Sequence, residues 1–172
     1  MMLNPHVLAV EGPPVAEAQG WVSGREFSPE QPLIDLAQAL PGYPAEASLR
    51  AHLKELLDSL DLGAYTDIAG LPELRAEFAS DLQRVYQAEV QASEVFITAG
   101  CNQAFFLALL GLVAPGAEVI LPSPYYFNHK MTLEMLGMRP VLLPCRQENG
   151  MLPDPEESAS LITPHTQALV LV

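Results

Sequence analysis

The residues best suited to chemistry follow a predicted apolar strand, Val95–Ala99, where a glycine leads into an apolar helix. Gly100 permits a tight turn and lets a ligand come close to the backbone. The N–H groups of Cys101 and Asn102 would be among the donors that the first turn of a helix leaves without intrahelical acceptors. With the helix dipole behind them, such donors favour an anion, most naturally a phosphate. An ordinary strand-to-helix turn has the same local pattern, so both interpretations stay open at this point.

Two further segments carry candidate residues. Pro122–Phe127 comes directly after the next predicted strand, and aromatic rings at the carboxyl end of a strand can form a wall for a flat ligand. Core packing of one ring is the alternative. Tyr65–Arg75 is typical of a loop that leads into a helix, and in isolation Tyr65 is an ordinary half-buried tyrosine.

Alternating strands and helices must position these segments. The predicted strands are Val95–Ala99, Glu118–Leu121, Pro140–Leu143 and Ala168–Val172. The predicted helices are Ser48–Leu60, a helix from Pro72, Asn102–Val113, Phe127–Leu136 and Pro155–Ile162. Because the strands are continuously apolar, we expect an α/β fold with a mostly parallel sheet covered by helices on both faces.

Local signals refine this assignment. Ser48 is a plausible N-cap of the first helix and Gly63 its end. The helix from Pro72 has a predicted buried stripe formed by Leu74, Phe78, Leu82 and Val85. Residues 1–47 are expected to form an N-terminal helical arm, in which residues 1–32 are irregular with at most a short helix. Residues 48–172 are expected to form part of a larger domain.

Composition excludes several classes of function. The 172 residues carry a net charge of −13, which disfavours binding to nucleic acid or to an anionic membrane. The longest apolar run, Ala104–Ala114, is too short to span a bilayer, and the N-terminus has no basic start of a signal peptide. Two cysteines make no disulfide framework, which favours the cytoplasm. No metal spacing links the four histidines, His6, His52, His129 and His165.

Taken together and in this order, the three segments resemble the class I and II aminotransferases, fold-type-I enzymes that depend on pyridoxal 5′-phosphate. The Y-x-x-x-x-G-x-x-x-L-R stretch of that family is matched by Tyr65, Gly70, Leu74 and Arg75. The strand–glycine–helix cradle and the proline-aromatic stretch follow, and Ile34–Pro44 is similar to the family's entry segment. The resemblance covers nearly the whole chain from about residue 34 onward.

The resemblance implies specific roles. Gly100, Cys101 and Asn102 would hold the cofactor phosphate, and Tyr126 would stack on its pyridine ring. Tyr65 would reach the phosphate of a neighbouring subunit, which implies a homodimer. Ala39 stands where many members have a glycine whose backbone meets the substrate carboxylate, so the substrate contact differs there. The substrates would be an amino acid and a 2-oxo acid.

The family's Schiff-base lysine has no counterpart in this sequence. The two lysines, Lys54 and Lys130, lie in predicted helices and match no family position, so neither is assigned a catalytic role. An apolar strand closes the sequence at Val172, and we expect these residues to be the front portion of a longer enzyme and inactive alone.

Three other functions fit the same pattern. The chain could belong to another fold-type-I enzyme, such as a carbon–sulfur lyase or an amino-acid decarboxylase. It could be a non-catalytic module that binds phosphate or dimerises. A nucleotide-binding domain is the third, although neither G-x-G-x-x-G nor the P-loop pattern is present.

Overall fold

The structure is a computed structural model that describes residues 3–59 and 64–172. These residues form two compact units. The first contains the described residues up to Ala37 together with Gly100–Val172, and the second is Gln38–Ala99. The helices are α1 Pro5–Ala9, α2 Pro14–Val22, α3 Ala47–Ser59, α4 Pro72–Tyr86, α5 Cys101–Leu112, α6 Phe127–Met135 and α7 Pro155–Ser160, with short 3₁₀ turns at Ala92–Glu94 and Gln147–Asn149.

A parallel three-stranded sheet organises the first unit. Its strands are β1 Glu118–Ser123, β2 Arg139–Pro144 and β3 Thr166–Leu169, arranged in the order β2-β1-β3. Residue Glu118 pairs with Arg139 on one side and with Thr166 on the other. The predicted α/β class and parallel sheet are therefore confirmed.

The core of this unit lies between the central strand and two helices. Val119 and Leu121 of β1 are fully buried and pack with Leu109 of α5 and Leu133 of α6. Ile120, which points to the opposite face of the strand, is also buried. A central parallel strand covered on both faces needs such a continuous apolar run, and this run is the reason that the sequence marked β1 clearly.

A polar network closes the amino end of the sheet. The buried carboxylate of Glu118 accepts a hydrogen bond from the Thr163 hydroxyl at 2.5 Å and lies 3.3 Å from the Arg139 guanidinium. The Thr166 hydroxyl lies 3.4 Å from the same carboxylate. Since Arg139 begins β2 and Thr166 begins β3, one side chain ties all three strands together at their first residues.

The second unit is built around α4. Arg75 of this helix donates from Nε to the carbonyl oxygen of Val95 at 2.8 Å. Gly70 has a φ of +98°, and a Cβ there would lie 2.6 Å from the Ile97 side chain. Only glycine therefore fits both the backbone conformation and the space at position 70.

The predicted strand Val95–Ala99 is wrong, because this segment pairs with no strand in the described part of the chain. The Ile97 N–H donates instead to the carbonyl oxygen of Ala69, in the loop before α4. A β-strand exists only through the hydrogen bonds of a neighbour, so apolar β-branched residues alone did not suffice. The other three strands appear within a few residues of their predicted positions.

The expected buried stripe of α4 is also wrong. Leu74 and Phe78 each expose 48% of their surface and Val85 exposes 51%. Within the second unit, α4 packs mainly against the 3₁₀ turn Ala92–Glu94, which is too small to cover the stripe. Helical periodicity identified the apolar face correctly, but it carries no information about what covers that face.

Two helix starts differ from expectation. The arm contains two helices rather than at most one, and each begins at a proline, Pro5 and Pro14, which suits the first helical turn. Helix α3 begins at Ala47, and the carboxylate of Glu46 accepts the N–H of Ser48 at 2.6 Å. Ser48 therefore lies within the first turn and is not the N-cap. The predicted end of this helix at Leu60 and Gly63 lies outside the described residues.

Replacement of Glu118 by glutamine should destabilise the fold in a pH-dependent way. The Thr163 hydrogen bond, assisted by the Arg139 charge, lowers the pKa of Glu118 below its ordinary value of 4.5. A lowered folded-state pKa contributes stability above the unfolded value, and the contribution is lost as the pH falls through the folded pKa. The wild-type urea midpoint should therefore exceed that of Glu118→Gln at about pH 7, and the gap should narrow towards about pH 3.

The exposed Glu89 provides the matched control, since Glu89→Gln should leave the urea midpoint unchanged at both pH values. A gap between wild type and Glu118→Gln that stays constant with pH would show that the charge of Glu118 contributes nothing to the stability of the sheet.

Candidate functional site

The predicted anion cradle lies at the start of α5. Gly100 precedes the helix with φ +88° and ψ 170°, a conformation that side chains other than hydrogen rarely allow. A Cβ at Gly100 would meet no atom within 4 Å, so the glycine is required by the backbone and not by crowding. The space in front of the turn is open to a ligand.

Two backbone donors at the start of α5, those of Cys101 and Asn102, are not satisfied by the described protein. No side chain caps this helix, and its first turn contains no acidic residue. Cys101 and Asn102 are both exposed, and their N–H groups find no protein acceptor within the described part of the chain. The positive end of the helix dipole is thus available to an anion from outside.

Helix α5 runs back along β1, which places its start at the edge of the sheet where ligands gather. Only Val113–Ala117 separates the end of α5 from the first residue of β1. The 12-residue helix spans about 18 Å and the 6-residue strand about 20 Å, so the two elements have matching lengths. In addition, the N–H of Ala114 donates to the Gln167 side chain at 2.8 Å, which fixes the end of α5 near the start of β3. Gly100 therefore lies towards the carboxyl ends of the strands.

Tyr126 occupies the matching position on the next helix, where it is the N-cap residue of α6 just beyond β1. The Asn128 side chain donates to the Tyr126 hydroxyl at 2.7 Å. Edge-on ring contacts to Phe127 and His129, with centroid distances of 5.0 and 5.2 Å, support the ring on the protein side. Tyr126 still exposes 40% of its surface, so part of the ring remains accessible.

His129 joins the two helices of the site. Its ring lies 4.2 Å, centroid to centroid, from that of Phe105 in α5, and its other contact is Tyr126. The Nδ1 atom of His129 is buried and has no hydrogen-bond partner among the described residues. Burial lowers the pKa of His129, which favours the neutral ring at pH 7. The sequence gives no signal for this position, because nothing in the spacing of His129 relates it to a residue on another helix.

A cavity of about 260 Å³ lies at the carboxyl ends of the strands. Tyr126 lines it together with Pro122 near the end of β1, Pro124 after β1, Cys145 after β2, and Leu171 and Val172 after β3. This is the edge at which open α/β sheets bind ligands. The cradle residues are not part of its lining, so the structure presents two adjoining features and not one closed pocket.

The other two predicted residues belong to the second unit. Tyr65 is fully exposed in the loop before α4, and it is not the half-buried tyrosine that its local sequence suggests. Ala39 is exposed in an irregular segment. Their roles at the site stay predictions.

Within the described residues, no cluster of three or more histidine, cysteine, aspartate or glutamate side chains could bind a metal. Nor does any of the described helices combine the length and the apolar character needed to cross a bilayer.

Comparison with known sequences decides the family. The profile of a family described as aminotransferase class I and II matches residues 31–172. The chain belongs to this family.

Individual aminotransferases agree with this assignment. An aspartate aminotransferase from Pyrococcus horikoshii is 31% identical over 139 residues, which cover 81% of this chain and 35% of that protein. An aspartate/prephenate aminotransferase from Thermus thermophilus is 36% identical over 141 residues, which cover 80% of this chain and 36% of that protein. The chain thus spans about a third of the length of these curated relatives.

Solved aminotransferase structures share the fold. A structure of aspartate aminotransferase from Thermus thermophilus with maleate has a TM-score of 0.86 and 26% identity, and the match covers 99% of this chain and 44% of the other. An alanine aminotransferase from Pyrococcus furiosus gives a TM-score of 0.83 at 22% identity, over 98% of this chain and 43% of the other, and it supports the fold alone.

Gly100, which precedes α5, and Gly111, which lies within it, should respond in opposite ways to replacement by alanine. Gly100→Ala forces a side chain into a positive-φ conformation and should lower the free energy of unfolding by about 1–2 kcal/mol. Gly111, within the same helix, has open space around it, and Gly111→Ala should raise the free energy of unfolding by about 0.5–1 kcal/mol. Urea titrations of the two variants measure both values. Equal effects of the same sign would show that the Gly100 conformation does not constrain the turn.

Proposed function

We propose that this chain is part of a pyridoxal 5′-phosphate-dependent aminotransferase, which moves an amino group between an amino acid and a 2-oxo acid. The observation that carries the proposal is the uncapped start of α5, where Gly100 leaves the Cys101 and Asn102 amides open to an anion. Family membership supports the proposal, since the relatives named above are aminotransferases.

The residues present fit the cofactor's phosphate. A phosphate dianion suits a helix N-terminus at which the Cys101 and Asn102 amides have no acceptor among the described residues and the first turn lacks carboxylates. The net charge of −13 repels anions at long range, so binding must rely on these local donors and on exclusion of other charges from the turn. Gly100, Cys101 and Asn102 would hold the phosphate, with Asn102 adding a side-chain donor.

The accessible ring of Tyr126 would support the flat face of the cofactor. It follows β1 at the same edge of the sheet as the cradle, and its hydroxyl and its edges are held by neighbours. When bound, the cofactor supplies an electron sink for the bonds at the amino acid Cα. The contribution of the protein is to fix the ring so that the reacting bond is aligned with it.

A homodimer and a substrate contact at Ala39 belong to the same proposal. Tyr65 and Ile68 are both fully exposed in one short loop, as expected for side chains that meet a second subunit. Tyr65 would then reach the phosphate of the neighbouring site. The backbone at Ala39 would meet the substrate carboxylate. The N-terminal arm would comprise residues 1–47, and the larger domain would begin at residue 48. Two free thiols, Cys101 and Cys145, support a reducing cytoplasm as the compartment.

Neither lysine of the sequence is suited to the catalytic role. Lys130 Nζ donates to Glu134 Oε1 at 2.5 Å, and this hydrogen bond raises the pKa of Lys130. The ammonium form is therefore favoured, which removes both the nucleophile and the proton acceptor that transamination requires. Lys54 is an exposed residue of α3. The described chain thus supplies cofactor contacts without the group that moves the proton at Cα.

The cradle can be tested with a ligand that cannot react with lysine. Pyridoxamine 5′-phosphate should bind the chain at least about tenfold more tightly than pyridoxamine, because only the former offers a dianion to the α5 amides. Gly100→Ala should reduce this preference, whereas Gly111→Ala should preserve it. Isothermal titration calorimetry measures the affinity of each of the three proteins for each of the two ligands. Equal affinity of wild-type protein for both ligands would refute the cradle.

The 172 residues alone should not transfer amino groups. Incubation with pyridoxal 5′-phosphate, an amino acid and 2-oxoglutarate should yield no glutamate above the level given by the cofactor without protein. The Lys130→Arg variant tests whether any turnover depends on the Lys130 amine, since arginine keeps the ion pair with Glu134 and removes the amine. Turnover in the wild-type chain that disappears in Lys130→Arg would assign this lysine the role denied to it above.

A further inference from the structure

The hydroxyl of Tyr126 has a dedicated partner. Asn128, two residues along the chain, donates from Nδ2 to this hydroxyl at 2.7 Å. The backbone supports this geometry, since Tyr126 is the N-cap of α6 and its carbonyl accepts the N–H of His129 at 2.9 Å. The first turn of the helix therefore brings the Asn128 amide back onto the side chain of its own cap residue.

The remaining contacts of the Tyr126 ring leave one motion free. His129 lies at an interplanar angle of 86° and Phe127 at 61°, so both neighbours meet the ring edge to face. Each such contact has a modest energy, so a further restraint is needed to hold the ring firmly against rotation about the Cα–Cβ bond. With 40% of its surface exposed, the ring would otherwise have room to swing towards solvent. The hydrogen bond at its far end removes that freedom.

We propose that Asn128 is a positioning residue that holds the Tyr126 ring in one orientation through a hydrogen bond to the hydroxyl. Position 126 therefore requires tyrosine and not phenylalanine, which lacks that hydroxyl. This inference rests on the proposed function, in which the ring supports the cofactor. A ring that is already ordered loses no rotamer freedom when a ligand stacks on it, so the tether contributes to affinity through preorganisation.

The hydrogen bond from Asn128 fixes the Tyr126 ring relative to α6 and, through the packing of α6 on α5, also relative to the start of α5. Phe105 of α5 packs on His129 at 4.2 Å between ring centroids, and His129 contacts Tyr126. Because the first turn of α6 is held against α5 in this way, a ring fixed relative to Asn128 is also fixed relative to Gly100 and its neighbours. One ligand can then meet phosphate donors and ring support at a constant separation.

The tether itself is testable without any ligand. Incorporation of 3-fluorotyrosine gives ¹⁹F resonances from the five tyrosines, and the Tyr126→Phe variant identifies the signal of Tyr126. Asn128→Ala should shift that resonance and leave the other four unmoved. Asn149→Ala, in the 3₁₀ turn after β2, is the control and should shift none of the five. An unmoved Tyr126 resonance in Asn128→Ala would overturn the inference.

A double-mutant cycle with pyridoxamine 5′-phosphate measures how much the hydrogen bond between Asn128 and Tyr126 contributes to ligand affinity. Tyr126→Phe and Asn128→Ala should each weaken binding about three- to tenfold, and the double variant should bind no more weakly than either single variant. Asn128→Asp should retain affinity, because its carboxylate can accept a hydrogen bond from the tyrosine hydroxyl. Tyr86→Phe, at the exposed end of α4, controls for loss of a hydroxyl elsewhere.

The outcomes separate the two proposals. Additive losses in the double variant, or full affinity in Asn128→Ala, would refute the positioning role while the cofactor site stands. Absence of binding to wild-type protein would refute the proposed cofactor site, and the ¹⁹F spectra would then decide whether the tether exists. Asn128→Asp also guards against misfolding, since it conserves the volume of the side chain.

Discussion

Burial of the central strand is the constraint on which the site depends. Val119 and Leu121 are fully buried on the face of β1 that α5 and α6 cover. Both helices must lie against this face, and the short connection from α5 into β1 forces α5 to run in the opposite direction to the strand. The start of α5 and the start of α6 therefore meet at the same edge. Gly100 and Tyr126 therefore lie at the same edge because of how the core packs, which requires no direct contact between the two residues.

Carboxylate side chains cap the starts of α3 and α7. Asp154 accepts the N–H groups of Glu156 and Glu157 at the beginning of α7, and Glu46 accepts that of Ser48 at the beginning of α3. A carboxylate at these positions satisfies the exposed amides and complements the dipole. Helix α5 has neither a capping side chain nor an acidic first turn. In a chain with a net charge of −13, the first turn of α5, like that of α6, contains no acidic residue, which leaves the Cys101 and Asn102 amides available.

Much of the fold could be predicted from the sequence because local signals agree with tertiary packing there. The strands around Glu118, Pro140 and Ala168 are apolar runs bounded by turn residues, and the helix starts at Pro72 and Pro155 carry favourable first-turn prolines. The start of α5 could be predicted because Gly100 directly precedes an apolar run of helical length.

The features that could not be predicted depend on distant partners. Val95–Ala99 has the composition of a strand, but composition does not supply a neighbour for its backbone. The exposure of Leu74 and Phe78 on α4 depends on what packs over them. The contact between Phe105 and His129 joins residues on two helices, and no periodicity within either helix announces it. The tether from Asn128 to Tyr126 is local, yet it depends on rotamers that the sequence does not specify.

The Glu118 network lies at the amino end of the sheet, and the candidate ligand-binding features lie at the carboxyl end. The stabilising network and the candidate ligand-binding features thus lie at opposite ends of one sheet, about 20 Å apart along β1. Substitutions around Thr163 and Arg139 would change the stability of the fold towards heat or acid without altering the residues around Tyr126. Conversely, the residues at the carboxyl end of the sheet can vary while the network at the amino end maintains the fold.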